Sequence, residues 1–290
     1  MKLSAVIVNY NDYNNTVRLV NQLLKYDTIS YVVVVDNAST NHNGDVLASI
    51  KNDKFHFIQN NDNKGYGAGN NIGILQSKQV LDCTHALIVN PDVEISEEVI
   101  EVLIDSFFGK KDALIIAPST FFNGKRVAWN VKCFSDLILS KLIIASRVSQ
   151  VLKEHMYSNE YFEDKSIAEV DAVLGACLMV DIEKFERIGM YDDCMFLYEE
   201  EDYLAIRSKQ FNYKTYLLCN ECYIHNHKND NDRSLAEQLW SKKQMCKSLL
   251  YLTKQYYKFG FFKQTLANFL LAISILEVRV SYYIRNIIRR

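Results

Sequence analysis

Ala86-Leu87-Ile88-Val89-Asn90-Pro91-Asp92 decides how this chain is read. Four apolar residues in a row suit a strand covered on both faces by helices. Pro91 has no amide hydrogen to give to a ladder, so the strand ends before it. Asp92 is then left at a strand's carboxyl end, the edge where open α/β sheets bind their ligands. A carboxylate there can hold a hard divalent cation against a diphosphate. By itself the tripeptide also reads as a turn, with Asp92 capping a helix that starts near Ser96. The neighbouring segments decide between the two.

Upstream, strand and helix patterns alternate. Leu3, Ala5, Val6, Ile7 and Val8 make a first buried strand, which ends at Asn9 and a polar loop. Residues 15–26 place Val17, Val20, Leu23 and Leu24 at helical spacing. Residues 31–35 are an unbroken β-branched strand that stops at Asp36-Asn37. A short helix over 46–50 and a third strand over 55–59 follow. Residues 60–71 are polar and rich in glycine, a loop, with a helix expected over 70–77. Downstream come a helix over 97–108 and a strand over 113–118. The alternation predicts an α/β fold with a mostly parallel sheet and helices on both faces. Residues 131–152 read as an amphipathic helix and 157–165 as a mobile loop. A helix over 182–188 is stopped by Gly189. An acidic run leads into a helix through Lys209, residues 214–218 and 222–225 are strand-like, and two or three helices begin at Leu235.

The 290 residues suffice for one large α/β domain with an appendage. A hydrophobic share of 49% supports a sizeable core. The formal net charge of -2 argues against nucleic acid as a partner. Seven cysteines without regular spacing read as reduced thiols in a cytoplasmic setting. Met1-Lys2-Leu3 leads directly into a strand and lacks a signal peptide's apolar region. Residues 259–280 are greasy but interrupted by Lys263, Gln264, Asn268, Glu277 and Arg279, a poor spanning helix.

Four constellations carry candidate chemistry. Asp36 ends the second strand, where it can accept hydrogen bonds from a base or ribose, or cap a helix. Lys64-Gly65-Tyr66-Gly67-Ala68-Gly69-Asn70 can bring backbone close to a phosphate. It is not a dinucleotide fingerprint, since position 70 is Asn and the stretch follows the third strand instead of the first. Tyr198-Glu199-Glu200-Glu201-Asp202 crowds four carboxylates, which raises the pKa of at least one and suits it to act as a general base. An acidic first helical turn reads the same way. His225-Asn226-His227 puts two imidazoles on one strand face, able to share a metal.

Taken in order, these segments resemble the family 2 glycosyltransferases, and within them the bacterial rhamnosyltransferase-like branch. The resemblance rests on Val6-Ile7-Val8-Asn9-Tyr10-Asn11, Val35-Asp36-Asn37-Ala38-Ser39-Thr40, the stretch from Asn63 to Gly73, Val89-Asn90-Pro91-Asp92-Val93, Gly175-Ala176-Cys177-Leu178, Phe185-Glu186-Arg187-Ile188-Gly189 and Phe196 to Asp202. It covers residues 3–230 and implies a Rossmann-like GT-A fold over 1–230, with a C-terminal helical extension over 231–290. The implied reaction is an inverting transfer from a nucleotide-diphosphate sugar to a saccharide or lipid-linked acceptor hydroxyl. The donor would be a UDP- or dTDP-sugar, dTDP-rhamnose included. Asp36, Asn9 and Asn37 would line the nucleotide pocket, with Gly65, Asn70, Asn90, Gly175 and Ala176 beside the donor. Asp92 would hold Mn²⁺ or Mg²⁺. The family's first metal-binding acid is here Asn90, so His225 or His227 is the candidate to complete the shell. The base would be one of Glu200, Glu201 and Asp202, with Glu201 preferred and Asp202 second. A nucleotidyltransferase or an inactive nucleotide-sugar binding module remain the alternatives.

The tail is basic, with four arginines against one glutamate between Glu277 and Arg290. A basic amphipathic helix can lie on the inner leaflet of a membrane. The same pattern also fits a packing helix or a homodimer interface.

Overall fold

The computed structural model describes residues 1–41, 44–131, 134–143, 156–226 and 233–288. Its strands are β1 (Leu3–Asn9), β2 (Tyr31–Asp36), β3 (Phe55–Gln59), β4 (His85–Val89), β5 (Val93–Glu94), β6 (Ala113–Ser119) and β7 (Phe121–Phe122). They continue with β8 (Lys125–Arg126), β9 (Ala128–Trp129), β10 (Ile167–Val170), β11 (Ala172–Val173), β12 (Cys177–Asp181), β13 (Lys214–Cys222) and β14 (Ile224–His225). The helices are α1 (Tyr13–Leu23), α2 (Gly44–Ala48), α3 (Tyr66–Gln79), α4 (Glu97–Gly109), α5 (Phe134–Leu139), α6 (Ile182–Arg187), α7 (Glu200–Gln210), α8 (Leu235–Gln255) and α9 (Phe261–Ile288).

Eight strands form one sheet in the order β10-β13-β6-β12-β4-β1-β2-β3. The β3-β2-β1-β4 half is parallel, as the apolar runs predict. β12 enters between β4 and β6 in the opposite direction, and β10 lies antiparallel to β13. Alternate residues of each central strand supply opposite faces. Val6, Val33, Val35 and Ile88 pack with Ile74 of α3, Phe185 of α6 and Leu249 of α8. Ile7, Val32, Val34 and Leu87 pack with Leu19 of α1 and Leu103 of α4. Ala267 and Leu271 of α9 join the first cluster through α8, so both C-terminal helices share the core of the sheet. The six described cysteines are free thiols.

The structure corrects three local readings. Helix α3 begins at Tyr66, inside the stretch read as a loop, four residues before the expected start at Asn70. Its glycines are there for contact. A Cβ on Gly69 would stand 2.9 Å from Val8 Cγ1, and one on Gly73 would stand 2.4 Å from Val6 Cγ1. Removing those carbons lets the helix lie directly on the sheet, at a cost in intrinsic propensity. The segment 157–165 is no mobile loop: Asn159–Phe162 form a 3-10 turn with Phe162 buried, and Tyr161 OH donates to Glu169 O at 2.7 Å. Of the helix expected over 131–152, Phe134–Leu139 and Ile143 are helical among the described residues, with a break over 140–142 and with 132–133 and 144–155 outside the described residues.

Candidate active site

The carboxyl edge of the parallel strands gathers most of the polar residues singled out in the sequence. Asn9 and Asp36 end adjacent strands in register. The Asp36 carboxylate is fully buried and accepts from Asn9 Nδ2 at 2.6 Å, Ser39 N at 2.8 Å and Gln59 Nε2 at 2.9 Å. Burial works against its charge, but these hydrogen bonds outweigh it and hold the carboxyl below the ordinary range. Asn37 Nδ2 donates to Asn63 Oδ1 and to Gly65 O, both at 2.9 Å. Asn60 Nδ2 closes the mesh on Asn37 Oδ1 at 2.9 Å. The expected nucleotide-pocket residues are therefore together, as a wall of interlocked amides around one buried charge. Their mutual bonds lock the loops that a base would rest against.

Gly65 and Asn70 serve that wall from behind. Gly65 has φ +102°, and a Cβ there would stand 2.1 Å from Phe196 O. Tyr66 N donates to the same carbonyl at 3.0 Å. The close approach anticipated for a phosphate is thus made by the backbone of Phe196, two residues before the acidic motif. Asn70 is buried and donates to Tyr66 O at 3.0 Å, within its own helix.

Asp92 follows β4 through Asn90, whose N–H donates to Ala176 O at 2.8 Å. β5 then pairs antiparallel with β14, setting Val93 opposite His225. Asn226 N donates to Asp92 O at 3.0 Å, and His225 Nε2 lies 3.3 Å from Asp92 Oδ1. Arg18 props the loop from α1, bonding Glu94 Oε1 at 3.0 Å and Val93 O at 3.3 Å. Among the described residues no group of three or more His, Cys, Asp and Glu side chains could hold a metal. Asp92 and His225 are a two-donor set of one carboxylate and one imidazole. That set fits Mg²⁺ or Mn²⁺ when diphosphate oxygens and water complete the shell. His227 lies outside the described residues.

The acidic motif opens α7. Tyr198 and Glu199 both adopt left-handed backbone, at φ 72° and 69°, an arrangement that stores strain at non-glycine residues. Glu199 is buried and ion-paired with Lys141. Glu200 is buried too, its carboxyl pushed up to about 8 by burial and then by the Glu201 charge. Glu201 accepts from Gly175 N at 3.0 Å through Oε1, and burial raises its pKa more than that bond lowers it. Asp202 points elsewhere: Trp129 Nε1 donates to its Oδ1 at 3.0 Å in a buried contact. Tyr66 OH donates to Gly175 O at 2.7 Å. Gly175 and Ala176 therefore join three segments: α3 through Tyr66, α7 through Glu201, and the Asp92 loop through Asn90.

Several of these partners had no signal in the sequence. Trp129 and Lys141 sit 73 and 58 residues from the acids they contact. Tyr66 was visible only as part of a glycine-rich motif.

A mostly parallel sheet flanked by helices, with Asp36, Asp92 and the acidic start of α7 at one rim, has the GT-A architecture. The chain belongs to glycosyl transferase family 2, whose model matches residues 4–165, more than half of its length. It is similar to the low-salt glycan biosynthesis hexosyltransferase Agl10 of Haloferax volcanii, 29% identical over 210 residues. That match takes in 72% of this chain but 62% of Agl10, less than two thirds of the relative. Among solved structures, GalNAc-T7 with UDP, GalNAc and Mn²⁺ superposes with a TM-score of 0.61 at 13% identity, over 89% of this chain and 49% of that one. TarS 1-349 of S. aureus in complex with UDP gives 0.54 at 15% identity, over 90% and 74%. At these identities the likeness is one of fold.

Proposed function

We propose that this chain is an inverting glycosyltransferase of the hexosyltransferase type. It moves a sugar from a UDP- or dTDP-sugar to a hydroxyl of a glycan or lipid-linked saccharide in cell-surface polysaccharide synthesis. A rhamnosyl donor remains within this reading, on the sequence resemblance. The observation that carries it is the hydrogen bond from Gly175 N to Glu201 Oε1, beside the bond from Asn90 N to Ala176 O. One pair of consecutive residues thereby ties a carboxylate of raised pKa to the loop that carries Asp92. Two loops joined in this way are what an enzyme needs to hold donor and acceptor in one geometry.

In this reading Asn9, Asp36 and Asn37 form the wall behind the nucleotide, with Gly65 and Asn70 bracing it. Asn90, Gly175 and Ala176 line the sugar. Glu201 accepts the proton of the acceptor hydroxyl, which attacks the anomeric carbon from the face opposite the leaving diphosphate and inverts it. Its raised pKa suits it to take a proton near neutral pH, and the Gly175 amide fixes the direction of its carboxylate. Glu200 stays largely protonated at neutral pH and keeps a second negative charge away from the base. Asp202, held by Trp129, acts by fixing the helix start. Asp92 and His225 would hold Mn²⁺ or Mg²⁺, which when bound neutralises charge on the diphosphate. Supporting the donor class, the relative Agl10 is named a hexosyltransferase, and TarS has been solved with UDP and with UDP-GlcNAc.

A thermal-shift panel of UDP-, dTDP- and GDP-sugars with and without Mn²⁺ tests the reading. Stabilisation by a UDP- or dTDP-sugar is expected. No shift from any donor overturns it.

A further inference from the structure

We propose that the outer face of α9 docks on an anionic lipid bilayer, lying in the membrane interface. The helix has 28 residues, about 42 Å at 1.5 Å per residue. One face is committed to the protein. Ala267, Leu271 and Ser274 are buried, Gln264 Nε2 donates to Leu250 O at 3.2 Å, and Arg285 donates to Gln238 Oε1 at 2.9 Å. The opposite face carries large apolar side chains at steps of three, four or seven residues, which keep them on one side of the helix. It runs from Phe262 through Leu266, Phe269, Leu276 and Val280 to Ile287, all exposed, Phe262 by 87% and Ile287 by 72%. A soluble surface rarely leaves such a continuous stripe open to water.

Charge selects the occupant. The one acid on the helix, Glu277, turns inward and accepts from Ile143 N at 2.6 Å. The exposed ionic positions on the helix are Lys263 and Arg279, with Lys258 exposed just before it. An apolar stripe flanked by cations, without an outward acid, complements anionic headgroups over an apolar interior. A second copy of this chain would bring the same cations and no acid from its own stripe to meet them. Phe261–Ile287 is also long and apolar enough to cross a membrane, beyond what the interrupted sequence pattern suggested. The polar contacts of the inner face with α8 and with residue 143 favour lying on the bilayer over crossing it.

This docking does not depend on the proposed activity, so its test needs no donor or acceptor. The full chain would be sedimented with vesicles of phosphatidylglycerol and phosphatidylcholine, and with phosphatidylcholine alone. Strong binding to the anionic vesicles and weak binding to the neutral ones is expected. Phe262→Ser and Phe269→Ser should each lower the partition coefficient by about tenfold, and Lys263→Glu with Arg279→Glu should remove the anionic preference. All four sites are exposed, so circular dichroism and melting temperature should match the parent chain. Equal pelleting of parent and variants overturns the proposal. So does a dimer in solution that the Phe262 and Phe269 variants dissociate, which would assign the stripe to a second copy.

Discussion

Gly175 donates its backbone N–H to Glu201 Oε1 at 3.0 Å, and that bond fixes the carboxylate without the help of another side chain. Few substitutions can probe a backbone donor, but the space around Gly175 offers one. A Cβ built there would stand 3.0 Å from the same Oε1. Gly175→Ala should therefore displace the carboxylate and lower kcat by about tenfold or more, with the melting temperature little changed. Glu201→Gln removes the proposed base and should lower kcat by about a thousandfold while donor binding persists. Steady-state kinetics beside calorimetric donor titration would separate the two effects, and full activity in Glu201→Gln would exclude it as the base.

Glu200 makes stability depend on pH in a direction unlike that of most acids. Its carboxyl is pushed up to about 8 in the fold, against 4.5 as the ordinary value. Between those values the folded protein binds a proton that the unfolded chain releases. The contribution to stability is complete below pH 4.5 and is lost as pH rises through about 8. Melting temperature should fall over that window, and Glu200→Gln should flatten the fall. Parallel curves for parent and variant would contradict the assignment. Because Glu201 is also raised above 4.5, the acid limb of the kcat/KM profile should lie above that of an ordinary glutamate.

Asp92 and His225 should act as one unit toward a divalent cation. Asp92→Asn should abolish Mn²⁺ binding in the presence of nucleoside diphosphate. His225→Ala should weaken it by about tenfold or more, the loss that even outer partners of a metal site carry. Electron paramagnetic resonance of Mn²⁺ reads this directly, without a turnover assay. Unaltered Mn²⁺ affinity in both variants would remove the pair from the metal site.

The pair Lys141–Glu199 is buried, with side chains 16% and 4% exposed. Lys141→Met should leave Glu199 charged without its partner and destabilise the fold by about 3 kcal/mol. Denaturant unfolding measures it, and Lys141→Met with Glu199→Gln should recover most of the loss.

Gly65→Ala should destabilise by about 2 kcal/mol or more, because φ +102° disfavours any side chain and the added carbon would meet Phe196 O at 2.1 Å. The glycine-rich stretch also shows where sequence reading stopped. Its composition says that some close approach occurs, but not to what. Phosphate, sheet and loop all demand the same missing carbon, and only the fold reveals that Val6, Val8, Tyr191 and Phe196 are the neighbours. The parallel strands were legible because burial on both faces writes itself as unbroken apolar runs. Asp36, Asp92 and Glu201 stood out because Asp36 ends a strand, Asp92 lies in the turn after another and Glu201 lies in the first turn of a helix. The partners that orient them did not. Trp129 and Lys141 reach their acids, and Tyr66 reaches Gly175, across the fold, and long-range pairing leaves no periodicity in one sequence.

The reversed direction of β12 has an evolutionary consequence. β6 ends and β12 begins, at Cys177, on the same rim of the sheet, and the stretch between them returns to the sheet once, as the edge strand β10. Apart from β10, that stretch holds β7, β8, β9, β11 and α5, and it starts and finishes at the rim that carries Asp36, Asp92 and the start of α7. Between β6 and β10, apart from Trp129 and Lys141, which hold Asp202 and Glu199, it can lengthen, shorten or change composition while its two attachment points stay fixed by the sheet. Change there leaves the parallel half of the sheet, with Asp36 and Asp92 at its rim, untouched.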